Sequence, residues 1–263
     1  MTITHSQQFL SRFSGLARLY GNNGLNSLAQ ARVAVVGIGG VGVWSAEAFA
    51  RSGIGHITLI DLDDISLSNV NRQMHALSSS LEQSKVEVMK MRILDINPEC
   101  KVDAIEDFVT KDNCSEYLHT RFDAVVDAVD SVNTKAAMIA HCKRNKIKIV
   151  TVGGAGGQID PTQIHISDLA KTTQDPLLAK VRSELRRKYG FSTNAKRRFS
   201  IPAVYSTEQL RYPLGNGEVS FEKQRADGSG KMDCSTGFGS FVGVTASFGM
   251  VAATQAINFI VKT

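Results

Sequence analysis

The sequence predicts an α/β protein: a doubly wound, mostly parallel sheet around a glycine turn, followed by an antiparallel-strand extension and a buried C-terminal helix. Three observations predict it. Short apolar runs alternate with helical periods from residue 33 to residue 152, the pattern of strands joined by crossover helices. Four apolar β-formers, Val33 to Val36, lead directly into Gly37-Ile38-Gly39-Gly40-Val41-Gly42, a G-x-G-x-x-G. An apolar-periodic helix then precedes a second strand, Ile57–Ile60, which ends in Asp61. Strand, glycine turn, helix, strand and acid together form a nucleotide-binding fingerprint in its required context. The glycines allow the tight turn, the approach of phosphate to backbone and close helix–strand packing, and the helix N-terminus offers free N–H groups to an anion.

Taken in order, residues 1–30 read as a helical arm of one or two short helices, with Gly21–Gly24 as a linker. Arg12 and Arg18 stand out there; most arginines are solvated and do nothing more. Beyond Asp61 come Asp63-Asp64 and a polar loop reaching Asn69, Arg72 and Gln73. Glu82–Ile96 is helical, since Val86, Met89, Ile93 and Ile96 recur at helical spacing and Asn97-Pro98 stops them. Val102–Ile105 and Phe122–Val126 read as strands, the latter ending in Asp127-Ala128-Val129-Asp130. Residues 134–145 form a helix and Ile147–Val152 a strand. Ligands of such sheets sit beyond the carboxyl ends of the strands, so the glycine turn, Asp61, Asp127 and Asp130 should converge.

The pattern changes after the glycine-rich Gly153–Gly157. Gln163–Ile166 alternates as a strand does, and Asp175–Tyr189 is helical with Leu177, Val181 and Leu185 on one face. The other face and the following loop carry Lys180, Arg182, Arg186, Arg187, Lys188, Lys196, Arg197 and Arg198 against a single Glu184. Two readings stand open: a solvated helix with its loop, or a landing site for a phosphodiester backbone. Residues 201–225 read as strands with a turn at Gly215-Asn216-Gly217. The whole is expected to be one domain, 1–263, made of an arm (1–30), a nucleotide-binding half (31–157) and an extension with the basic and apolar helices (158–263).

Composition narrows the class. The chain has 263 residues, 43% of them hydrophobic, enough for a sizeable core, and a net charge of +5 that permits an anionic partner. Its four cysteines, Cys100, Cys114, Cys142 and Cys234, form no C-x-x-C, so no zinc or thioredoxin motif is expected. Scattered cysteines and an N-terminus without signal-peptide character suit a cytoplasmic protein. From Thr236 to Val261 there is no charged residue. That length could span a bilayer, but its glycines and polar residues fit a helix buried in a core or an interface.

A dehydrogenase needs an acid for the ribose; it has no use for Asp63, Asn69, Arg72, Gln73 and Lys85 together. These suit a triphosphate: Arg72 and Lys85 neutralise phosphates, and Asp130 can hold magnesium. The set Gly37–Gly42, Asp61-Leu62-Asp63, Ser68–Gln73, Lys85 and Asp127–Asp130 resembles the ubiquitin-activating-enzyme superfamily, including the bacterial adenylyltransferases of molybdopterin and thiamin biosynthesis. The resemblance implies an enzyme that couples a carboxylate to ATP's α-phosphate. It implies that Gly37, Gly39, Gly40 and Gly42 admit phosphates, Asp61 holds the ribose, Asn69, Arg72 and Lys85 contact phosphates, Gln73 orients the loop and Asp130 takes Mg2+. Three departures are visible: the paired C-x-x-C is missing, one arginine of the arm motif is lost, leaving Arg12 or Arg18 to reach a partner subunit's phosphates, and Lys135 replaces an arginine.

Further motifs are more particular. Arg12–Gly21, Asn71–Leu77, Gly153–Thr162 and Met232–Gly239 resemble the tRNA threonylcarbamoyladenosine dehydratases. That implies a homodimer acting with ATP on tRNA, adenylating the threonyl carboxylate and closing a ring, with a cysteine desulfurase and its sulfur-acceptor protein as further candidate partners and no zinc. Cys234 stays open between a transient nucleophile near a helix N-terminus and a packing residue. The alternatives are activation of a ubiquitin-fold sulfur carrier, and an NAD-binding dehydrogenase or non-catalytic regulator.

Overall fold

Four successive apolar residues leave β1 (Arg32–Val36) without a polar face, and it is buried from Val33 onward. β2 (His56–Ile60) is likewise buried along its whole length, although His56 and Thr58 are polar. Such strands need helices on both sides. The computed structural model describes residues 5–214, 216–222 and 238–261, and in it the two strands sit inside one sheet. The others are β3 (Lys101–Ile105), β4 (Ala124–Asp127), β5 (Ile149–Val152), β6 (Ile164–Asp168) and β7 (Pro202–Ser206). Their order is β3-β2-β1-β4-β5-β7-β6, parallel throughout except for the β6–β7 pair. The chain winds outward in both directions from β1 and β4. The crevice beyond the carboxyl ends of those two strands is the natural ligand site of an open α/β sheet.

Alternate residues of each strand feed two cores. Val33, Val35, Ile57, Leu59 and Val126 pack under α1 (Gln7–Gln30), α2 (Gly42–Arg51), α3 (Lys85–Ile96) and α7 (Val242–Val261). Ala34, Val36 and Val125 pack under α4 (Cys114–Tyr117), α5 (Val132–Arg144) and α6 (Pro176–Tyr189). A separate ribbon pairs β8 (Tyr212–Pro213) with β9 (Val219–Ser220).

Several boundaries differ from expectation. The arm is two helical segments, as expected, but they join at the single non-helical residue Gly21 (φ 74°, ψ 169°) and not through a four-residue linker. Glycine takes that conformation without strain, and buried Leu25 and Leu28 draw the chain back into a helix. The helix expected from Glu82 begins at Lys85, because Glu82 adopts a positive φ of 64° and its N–H donates to Ile65 O. On α6 it is Leu178, with Val181 and Leu185, that is fully buried, while Leu177 turns toward the crevice. The short α4 carries no helical period and was not foreseen.

Helix α7 is long and apolar enough to cross a membrane by length and composition, yet half of its apolar window is buried inside the domain. Val244, Phe248, Ala252, Ala253, Ala256 and Ile257 cover the sheet. At its crossing with α2, a side chain at Gly249 would start 2.4 Å from Val41 O. Ser45 Oγ donates to Gly249 O at 2.9 Å across that contact. Cys234 and the greater part of the Met232–Gly239 motif lie outside the described residues.

Candidate active site

The site grows from the glycine turn. Gly37 has a φ of 85°, and a side chain at Gly42 would start 1.8 Å from Gly37 O, so both positions tolerate glycine alone. The turn therefore folds tightly enough to bring the start of α2 against the end of β1. Asp61, at the carboxyl end of β2, locks it: one carboxylate oxygen accepts the Ile38 N–H at 2.6 Å and the other accepts the Asp63 N–H at 2.9 Å. From behind, buried His75 donates its Nε2–H to Ile38 O at 3.1 Å. Burial pushes that imidazole down to about 4, against the upward pull of its bond to Ile38, so it is neutral at physiological pH.

Beyond the turn lies a cavity of about 880 Å³, within the range of roughly 300–1,000 Å³ usual for small-molecule sites. Gly37, Gly39, Gly40, Asp61, Asp63, Asn69, Arg72, Gln73, Lys85 and Asp130 all line it. Asn69 closes a short turn by accepting the Ser66 N–H through Oδ1 at 3.0 Å. Arg72 is held in place by donating from Nη1 to Ser68 O at 2.7 Å and to Asn71 Oδ1 at 3.0 Å. Lys85 is almost fully buried, and its Nζ donates to Asp63 Oδ2 at 2.7 Å. The buried Gln73 Oε1 has no hydrogen-bond partner among the described residues. A buried acceptor without a partner is costly in an empty protein and points to a ligand that supplies one.

Asp127 departs from the grouping made on position alone. Its carboxylate is fully buried below the cavity floor, 2.9 Å from Lys135 Nζ, and it accepts Thr151 Oγ1–H at 2.7 Å. Strand alternation sends Asp127 into the sheet, and the chain beyond it carries the exposed Asp130 to the crevice. Asp130 forms no ion pair and no side-chain hydrogen bond among the described residues. A lone carboxylate facing a phosphate-sized space fits magnesium, which takes one or two carboxylates plus phosphate oxygens and water. No cluster of three or more His, Cys, Asp or Glu side chains suited to a metal exists among the described residues.

Other expected residues lie elsewhere. Arg12 and Arg18 sit exposed on α1 and do not line the cavity; Arg12 Nη1 donates to Ile96 O at 3.3 Å. On the basic face, Arg187 and Lys188 both pair with Glu184, and Arg186 lies over the Phe199 ring. Arg182 donates to Thr172 Oγ1. Lys180, Lys196, Arg197 and Arg198 are exposed and form no ion pair among the described residues. The three described cysteines are buried, and desolvation pushes the Cys100 and Cys142 thiols up to about 12 and Cys114 to about 11, so none is a nucleophile.

Gly153–Gly156 after β5 and Phe238 ahead of α7, parts of two of the more particular motifs, also line the cavity, and so do residues that the sequence did not single out: Asp107–Thr110 after β3, Ser131 and Thr134 at the start of α5, and Ser240 and Thr245 ahead of and within α7. Asn71 Nδ2 ties the arginine loop to this last segment, donating to Ser240 O at 2.9 Å. The positions after β3 and β5 were open to inference, because strand carboxyl ends line such crevices.

A glycine turn locked by an acid, two fixed cations and a free carboxylate define an adenylating type of nucleotide site, not a hydride-transfer cradle. The chain belongs to the ThiF family, whose profile matches residues 11–263. It is 52% identical to tRNA threonylcarbamoyladenosine dehydratase of Escherichia coli, over 98% of this chain and 96% of that protein. It is 53% identical to the Haemophilus influenzae protein of the same name, over 95% of this chain and 94% of that one. A crystal structure of the E. coli enzyme in complex with ATP covers 98% of this chain and 97% of its own, with 49% identity and a TM-score of 0.87. The dehydrogenase reading is set aside by these relationships and by the cations at the site.

Proposed function

We propose that this protein is an ATP-dependent dehydratase of threonylcarbamoyladenosine in tRNA. The observation that carries the reading is the convergence of Arg72 and Lys85 with the glycine turn and Asp130 in one cavity, in a chain related along its length to enzymes of that name. ATP lies with its phosphates over the glycine turn and its ribose at Asp61, which keeps lone pairs for hydroxyl groups after accepting two backbone N–H bonds. Lys85 and Arg72 neutralise phosphate charge, and Gln73 Oε1 gains the partner it lacks. Asp130 would hold magnesium, which would supply charge neutralisation on the phosphate oxygens.

The threonyl carboxylate attacks the α-phosphorus, the bond to the β-phosphate oxygen breaks, and pyrophosphate leaves. The acyl-adenylate has AMP as its leaving group. A neighbouring atom of the same modification attacks the activated carbonyl, AMP departs and a five-membered ring closes. The net change in the nucleoside is the loss of one water. Ring closure is intramolecular, so orientation supplies much of its rate and no enzyme nucleophile is required.

The protein acts as a homodimer in this reading. Arg12 and Arg18 lie outside their own chain's cavity lining, so a phosphate contact from either comes from a second copy. Lys180, Lys196, Arg197 and Arg198 meet the phosphodiester backbone of the tRNA. The test is mass analysis of threonylcarbamoyl-modified tRNA after incubation with protein, ATP and magnesium. The nucleoside should become lighter by one water with release of AMP and pyrophosphate; an unchanged nucleoside would overturn the reading. Pyrophosphate exchange that needs a carrier protein and ignores tRNA would favour sulfur-carrier activation instead.

A further inference from the structure

A second cavity of about 420 Å³ opens beside the nucleotide site; no residue lines both, but two direct contacts join their linings. Gln174, Asp175, Arg182, Gln209, Tyr212 and Phe221 line it. Asp175 Oδ2 accepts the N–H of Gly154, a residue of the nucleotide cavity, at 3.0 Å. Gly153 can be nothing larger, since its side chain would begin 1.8 Å from Asp175 Oδ2. On the other side Tyr212 packs on Phe238, which lines the nucleotide cavity, with ring centroids 5.4 Å apart. Gly153–Gly156 line the nucleotide cavity alone, and the Arg211 N–H fastens the ribbon to the end of that strip through Gly157 O at 2.8 Å.

We propose that this second cavity receives the purine that carries the threonylcarbamoyl group, so that its carboxylate extends past the Tyr212–Phe238 contact toward the α-phosphate. The inference rests on the function proposed above. Its chemistry fits a base. Tyr212 and the half-exposed Phe221 offer ring faces, and Arg211 lies over the outer ring at 4.9 Å. Arg182, Gln174 and Gln209 offer donors and acceptors for a purine edge. Enzymes that act on a base commonly take it out of the stack and hold it by stacking and edge contacts. Arg182 belongs to the basic helix, so the cavity is continuous with the surface assigned to the RNA backbone. A carboxylate joined to its purine through a short chain cannot reach the phosphates unless the base sits next door, and Asp175 and Tyr212 of this cavity each touch a residue that lines the nucleotide site.

The test uses the full-length protein and an RNA hairpin bearing the modified adenosine. Phe221→Ala and Gln209→Ala should each raise the KM for the hairpin by about tenfold, the scale of a lost stacking partner. The Kd for ATP and the thermal midpoint should stay at wild-type values, and Phe221→Trp should restore the KM. A purely structural role would move ATP affinity and the midpoint together. In wild-type protein, a photoreactive purine at the modified position should crosslink within residues 209–221; this arm decides the matter if a variant fails to fold. Unchanged KM values, or crosslinks only from the neighbouring nucleotide, overturn the assignment. A wild-type protein that does not dehydrate the hairpin at all overturns the function instead, which keeps the two failures distinct.

Discussion

Lys135 Nζ lies 2.9 Å from Asp127 Oδ1 with both side chains fully buried, and Thr151 Oγ1 and the Asp127 carbonyl complete the shell around them. The pair sits under the crevice floor where β4 ends. It separates two aspartates three residues apart in the sequence into a structural one and a chemical one.

Breaking that pair from one side should be expensive. Lys135→Met leaves a buried, uncompensated carboxylate and should cost about 3–5 kcal/mol of stability. Denaturant unfolding of the variant measures it. A loss under about 1 kcal/mol would mean that water reaches the pair.

Asp130 should behave in the opposite way. It is exposed and bonded to nothing among the described residues, so Asp130→Asn should leave the unfolding midpoint unchanged. ATP-dependent pyrophosphate release should fall by roughly 10²–10³, the scale for removing one charge-stabilising group. Full turnover would remove this residue from the magnesium assignment.

Lys85→Met should also depress pyrophosphate release by about 10²–10³. It removes a cation whose geometry is fixed by Asp63 at 2.7 Å. Asp63→Asn should have a smaller effect, because it loosens Lys85 without removing the charge. Equal losses in both variants would make Asp63 a direct participant.

Neutral His75 makes stability depend on pH. Its folded value of about 4 lies below the usual 6.5, so the unfolded chain binds the extra proton first. The stabilisation is complete above about 6.5 and is lost as pH falls toward 4. Unfolding free energy measured from pH 7 to 4.5 should drop more steeply in wild type than in His75→Gln. Parallel curves would show that the imidazole is protonated in the folded state.

Reversing Lys196, Arg197 and Arg198 to glutamate should weaken tRNA binding and lower the salt slope by about 0.9 for each phosphate no longer neutralised. Reversing Arg187 and Lys188 should matter less, because Glu184 already engages both. Filter-binding titrations across salt concentrations separate the two sets.

The sheet and the glycine turn were legible because their signals are local. Val33–Val36 is a continuous apolar run and Ile57–Ile60 is one broken only by Thr58, and a turn whose glycines face Gly37 O and Ala128 O leaves its mark in the residue types themselves. Asp61, Arg72 and Lys85 were legible as a set of charges in one loop and at one helix start. The role of Asp127 was not, because strand alternation and a lysine eight residues away decide where it points. Neither was the insertion of β7 between β5 and β6, since pairing partners far apart in sequence leave no local period. The second cavity leaves no local signal for the same reason: its walls come from the start of α6 with the two residues before it and from the segment 209–221, brought together by tertiary structure alone.

The bond from Ser45 to Gly249 closes a separation of 204 residues. During synthesis, Val33, Val35, Ile57 and Leu59 leave the ribosome long before the helix that covers them. At about 5–20 residues per second the interval is roughly 10–40 s. For that time the nascent chain carries a sheet face that α1, α2 and α3 can cover but α7 cannot yet. The nucleotide pocket is thus begun early and completed late, when Phe238, Ser240 and Thr245 arrive.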